Sequence, residues 1–176
     1  VETSPLVEDS QWLLDLAKDH PSILGGVGNL PVGDLEFRGN LELFSKNPLF
    51  RGIRIRAKKL QNLPVAYVED LRHLADQGLC LDVLGSPAML PDIVELAETV
   101  PSLRIVINHL PFDSPTNSSV RDASERALED LATWPNVFAK VSDVVRKVAQ
   151  KSQNAETYRA RLNHLWKTFG PNRLMY

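Results

Sequence analysis

Leu103-Arg104-Ile105-Val106-Ile107-Asn108-His109-Leu110, closed by Pro111, is a short, branched, apolar run that ends on two polar residues. That pattern reads as a buried β-strand. Similar runs lie on both sides of it, at 79–84 and 137–141, and further out at 23–27, 52–55 and 173–176. Taking Leu24, Ile53, Leu81, Ile105, Phe138 and Leu174 as markers, the runs recur at intervals of 29, 28, 24, 33 and 36 residues. Each interval holds one strand and one crossover helix, which is the period of a parallel sheet covered by helices.

The segments between the strands carry helical spacing. Tyr158, Leu162, Leu165, Trp166 and Phe169 fall at i, i+4, i+7, i+8 and i+11, with Asn154 as the expected N-cap and Gly170-Pro171 as the stop. Val120, Ala123, Ala127 and Leu131 repeat the stripe behind the cap candidate Ser119. Leu90, Ile93, Ala97 and Val100 do so around Pro91, which a first turn tolerates. Val65, Val68, Leu71 and Ala75 form another stripe, closed by Gly78. Ser10 is expected to open the first helix, with Leu13, Leu16 and Ala17 facing inward, and 34–50 reads as a loop with a short helix. Two architectures share this rhythm: an open parallel α/β sheet, complete at five or six strands, and a (β/α)₈ TIM barrel, which takes about 250 residues. Spacing does not choose between them.

Composition narrows the function. The 176 residues carry 20 basic and 22 acidic side chains, for a net charge of −2. This balance argues against a nucleic-acid binder that works through bulk charge. The single cysteine rules out a disulfide framework and suits a reducing compartment. Apolar runs are too short to span a bilayer, and the acidic first twenty residues do not read as a signal peptide, so a cytoplasmic protein is expected. The chain opens on Val1 and closes on Leu174-Met175-Tyr176, inside what reads as a strand, so a single domain over 1–176 is expected to be a partial one.

In parallel α/β architectures ligands meet the carboxyl ends of the strands, so polar residues there are the candidates. If Ile53 and Ile55 pack on helices, Arg54 and Arg56 point inward, where they could bind a substrate carboxylate or form structural salt bridges. Asp82 is the matching acid. Lys140, in an apolar strand, could polarise a substrate or pair with Asp82 or Glu2. His109 could ligate a metal or act as an acid/base, or it could be satisfied by a neighbouring carbonyl. Cys80 reads as a core thiol, and no dinucleotide fingerprint, phosphate loop or nucleophile elbow is present.

Several of these segments, in this order, resemble the amidohydrolase-related family: Phe50-Arg51-Gly52-Ile53-Arg54, Leu81-Asp82-Val83-Leu84, Ile107-Asn108-His109-Leu110, Lys140-Val141-Ser142 and Phe169-Gly170-Pro171-Asn172-Arg173-Leu174-Met175-Tyr176. Val1-Glu2-Thr3-Ser4 is similar to the family's end of strand two. The resemblance implies a (β/α)₈ barrel, here spanning the end of strand two to the start of strand eight. It implies a hydrolase that opens a lactone or cleaves a related C–O or C–N carbonyl bond of a small molecule. A His-x-His pair and an essential Asp would then lie outside this sequence. His109 matches the family's third histidine, a possible ligand of a zinc-like divalent metal, although some relatives work without metal and some decarboxylate. Arg54 and Arg56 lie where members place substrate-binding cations; Asp82 and Glu2, as polar residues of the strands, are further expected substrate contacts, and His109 and Lys140 are the expected catalytic residues. One departure is Asn108-His109-Leu110-Pro111, where many members have Asp-His-Leu-Gly. A non-catalytic barrel acting as a binding module is the competing reading. An oligomer is compatible with either.

Overall fold

Strand follows helix along the whole chain in the computed structural model, which describes residues 6–56, 60–110, 117–144 and 154–176. The elements are α1 (Glu8–Asp19), β1 (Gly26–Gly28), α2 (Phe37–Ser45), β2 (Phe50–Arg56), α3 (Val65–Asp76), β3 (Cys80–Leu84), α4 (Leu90–Thr99), β4 (Arg104–Leu110), α5 (Ser118–Thr133), β5 (Val137–Val141), α6 (Glu156–Phe169) and β6 (Leu174–Met175). The strands pair only in parallel and in sequence order, β1 to β6. Consecutive order without a reversal is barrel connectivity; a doubly wound sheet would change direction at a switch point. The open-sheet alternative is thereby set aside in favour of consecutive units of a (β/α)₈ barrel.

Register explains which side chains meet. Ile53, Leu81, Ile105 and Val137 stand level across β2 to β5, and Ile55, Val83, Ile107 and Ala139 form the next level on the same face. These rows join Leu71 and Leu74 of α3, Ile93 and Leu96 of α4, and Leu128 and Leu131 of α5 in one core. Burying one such leucine contributes about 2 kcal/mol. The alternate residues point to the other side, where Arg54 stands level with Asp82, Asp82 with Val106, and Val106 with Phe138.

Buried polar side chains on the helices tie down the loops that follow the strands, and each tie reaches back one unit. Asp70 on α3 accepts hydrogen bonds from Gly33 N (2.9 Å) and Arg38 Nε (2.9 Å) in the β1–α2 region. Asp92 on α4 accepts from Leu60 N (3.0 Å) and Gln61 Nε2 (2.7 Å) in the β2–α3 loop. Ser124 on α5 donates to the Pro87 carbonyl (2.8 Å) after β3.

Several local expectations change. The cap of α5 is Asn117, whose side chain accepts from Ser119 N and Val120 N; Ser119 is already helical. Asn117 wins because its carbonyl oxygen reaches both orphan amides at once. Ser10 lies inside α1, buried, and its Oγ accepts from Asn29 N (3.2 Å) rather than capping the helix. Leu14, not Leu13, is the buried leucine there. Asn154 accepts from Glu156 N (3.0 Å) but stands one residue before the cap position of α6, which Ala155 occupies. Trp166 is 57% exposed, since Leu165 and Phe169 fill the contact with the sheet. Leu24 precedes β1 and is exposed. Among the described residues, no helix is long and apolar enough to cross a membrane.

Candidate active site

The inward face of β2 to β5 carries a chain of polar side chains through an otherwise apolar sheet. Arg54 Nη2 donates to Asn108 Oδ1 (3.1 Å) and lies 3.8 Å from Asp82 Oδ2. Asn108 Nδ2 donates to the Val83 carbonyl (3.3 Å), which turns its Oδ1 toward the guanidinium. Lys140 Nζ donates to the same Asp82 oxygen. Four strands are therefore joined by one carboxylate and one amide. Asp82 is 1% exposed and Asn108 0%, so neither is solvated and both depend on these partners.

His109 reaches the same face through an irregularity in β4. Ile107 pairs with Ala139, yet Leu110 pairs with Val141, so three steps on β4 match two on β5. The extra residue is a β-bulge, and His109 adopts φ 60° to make it. Without the bulge His109 would face the helices, opposite Asn108. With it, Asn108 and His109 together oppose Lys140. The imidazole Nδ1 then lies 2.9 Å from Ser142 Oγ, just past the end of β5. A non-glycine residue in the left-handed region costs on the order of 1 kcal/mol, and such positions gather at functional sites.

Of the residues expected from sequence, Arg54, Asp82 and Lys140 are brought into direct contact, and His109 joins them at the carboxyl end. Arg56 is the last residue of β2 and is exposed at that end. Glu2 lies outside the described residues, as does Pro111. Asn108 and Ser142 are the members that site reasoning from sequence passed over. A polar residue ending an apolar run was the available sign for Asn108. Strand alternation puts Ser142 on the face of Lys140, but its partner was not legible, because the bulge that brings His109 to it is a property of strand pairing.

The metal expectation meets a limited donor set. Among the described residues, no group of three or more His, Cys, Asp or Glu is placed to hold a metal ion. Asp82 is engaged by two cations, and His109 is a single imidazole. These residues do not make a metal centre on their own.

Asp82 and Lys140 also close one end of a cavity of about 540 Å³ on the amino side of the strands, lined further by Cys80, Arg104, Val106 and Phe138. Burial, with the Asp82 carboxylate adding to it, pushes the Cys80 thiol up to about 11. It is an inert thiol at neutral pH.

The amidohydrolase family profile matches residues 1–176. The chain is 29% identical over 148 residues to L-fucono-1,5-lactonase of Burkholderia ambifaria, an alignment covering 81% of this chain and 50% of that protein. An amidohydrolase from Burkholderia multivorans with bound zinc superposes with a TM-score of 0.78 at 22% identity, covering 95% of this chain and 62% of the other. A Pseudomonas putida protein assigned as a 2-pyrone-4,6-dicarboxylic acid hydrolase gives a TM-score of 0.72 at 25% identity, covering 95% and 60%. The chain thus spans half the length of the lactonase and about three-fifths of each solved structure.

Proposed function

Because this chain belongs to the amidohydrolase family, we propose that it carries the central part of a hydrolase active site that opens a lactone, or cleaves a similar C–O or C–N carbonyl bond, in a small molecule bearing a carboxylate. The observation that carries this reading is the polar set on the inward face: two cations around one buried carboxylate, with an imidazole beside them at the carboxyl ends of the strands. The similarity to a lactonase supports the lactone as the substrate class.

The overall change adds water across the ring ester. Water oxygen bonds to the carbonyl carbon, the ring C–O bond breaks, and the alkoxide takes up a proton to give a hydroxy acid. His109 is suited to hold or move a proton at the carbonyl or alkoxide oxygen. Arg56, exposed at the mouth, is suited to a substrate carboxylate, which guanidinium groups bind through two parallel hydrogen bonds. Arg54 and Lys140 set a positive potential on the floor of the site, and Asp82 fixes both in place. Glu2 would add a further substrate contact. A zinc-like divalent metal would polarise the carbonyl; it would draw one imidazole from His109 and its other donors from beyond the described residues.

The test is turnover of L-fucono-1,5-lactone and related sugar lactones by the full-length protein. His109→Ala should lower kcat by at least about 10²-fold, in line with the loss of a general acid or base. Wild-type activity in that variant would remove His109 from the mechanism, and a full-length protein inert toward every lactone would overturn the substrate class. Activity unaffected by chelation, with no metal bound, would leave the reaction to the side chains.

A further inference from the structure

We propose that Ser142 is a positioning residue for His109, fixing the tautomer and the direction of its ring. Two independent features of the backbone converge on this contact. The bulge in β4 spends a left-handed, non-glycine residue to place His109 on the inward face. Two residues past the end of β5, Asp143 is a second left-handed residue (φ 61°), and it directly follows Ser142, whose Oγ meets His109 Nδ1. A left-handed residue on β4 and another just past the end of β5 therefore flank the 2.9 Å contact between His109 Nδ1 and Ser142 Oγ. Such strain persists only where the surrounding structure holds it.

The chemistry explains why that bond matters. A neutral imidazole has one N–H and one lone pair, and its two nitrogens take opposite roles. With the Ser142 hydroxyl donating to Nδ1, the proton sits on Nε2, which is then a donor toward an oxyanion or carbonyl oxygen. With the hydroxyl accepting from Nδ1–H, Nε2 carries the lone pair and serves as a base or ligand. In either state the partner at Nδ1 decides what Nε2 can do, as partners of this kind do for functional histidines in general.

This inference rests on the reading that His109 acts at the reacting carbonyl, and the experiment separates the two. In the full-length protein, Ser142→Ala should lower kcat on L-fucono-1,5-lactone by about 10- to 100-fold with KM within about two-fold, while Ser142→Thr, which keeps the hydroxyl, restores most of the loss. Ser142→Cys preserves the side-chain volume with a poor hydrogen-bonding group and serves where the alanine variant does not fold; it should behave like alanine. The second readout needs no turnover: ring ¹⁵N signals of His109, assigned by their disappearance in His109→Ala, should change from one fixed tautomer to a mixture in Ser142→Ala or Ser142→Cys. Unchanged ring signals in those variants would overturn the proposal even if His109→Ala is inactive. Changed ring signals with His109→Ala still active would uphold the positioning contact and remove only the catalytic reading.

Discussion

Asp82 is the residue on which the inward face depends. Its carboxylate lies between Lys140 and Arg54, and the side chains of these cations are only 16% and 9% exposed. Removing the charge takes away the buried carboxylate that Lys140 and Arg54 share, and breaking a buried pair in this way typically costs about 3 kcal/mol or more. Asp82→Asn in the full-length protein should therefore lower stability by about 3 kcal/mol, read from the urea midpoint, and a loss below about 1 kcal/mol would show that the cluster is solvated. Gly52 is a second critical residue: a Cβ there would collide with the Cys80 carbonyl oxygen on the neighbouring strand. Gly52→Ala should cost at least about 4 kcal/mol or prevent folding, measured by the yield of soluble protein and its thermal transition. Cys80 gives a pH signature. With its thiol raised from the ordinary 9 to about 11, the unfolded chain loses that proton first, so this group's contribution to stability is intact below about pH 9 and declines as pH rises toward 11. Alkylation of the native protein by iodoacetamide at pH 8 should be slow and should accelerate toward pH 11.

At the scale of elements, α3, α4 and α5 each do two jobs. The apolar stripe of each covers the sheet, and a buried polar side chain on it holds the previous unit's loop at the carboxyl face, as Asp70, Asp92 and Ser124 do. The stripes were legible as periodicity. The ties were not, because an Asp in a helical pattern reads as solvated surface until its distant partner is known. Asp92→Ala leaves Leu60 N without its acceptor, an effect of about 1–3 kcal/mol that should be local. Hydrogen exchange should speed up at Leu60 and its neighbours while the amides of β3 keep their protection; uniform acceleration would instead mean that Asp92 supports the whole sheet. The bulge at His109 belongs to this scale too. It makes two consecutive residues of β4 face one way, which the two-residue period of a strand forbids.

For the molecule as a whole, among the described residues, β1 pairs only with β2 and β6 only with β5, and the polar face they border is one wall of a barrel lumen. Strand edges with free backbone donors and acceptors recruit other strands. The 176-residue chain produced alone should therefore associate through such edges at micromolar concentrations, as judged by light scattering. A monomeric, cooperatively unfolding 176-residue chain would instead favour a self-sufficient sheet.

Length, spacing and the alternation of polar and apolar residues are local quantities, and they carried the repeating βα unit, the inward set of Arg54, Asp82 and Lys140, and the position of His109 at a strand end. Those features follow from backbone geometry that every short segment shares. The order in which the strands pair excluded the open sheet. The register between strands decided the rest: that Asp82 serves two cations, that Asn108 bridges to Arg54, and that a bulge turns His109 toward Ser142. Register sums over residues far apart in the chain. The chemistry of this face therefore became visible only when the strands were laid side by side.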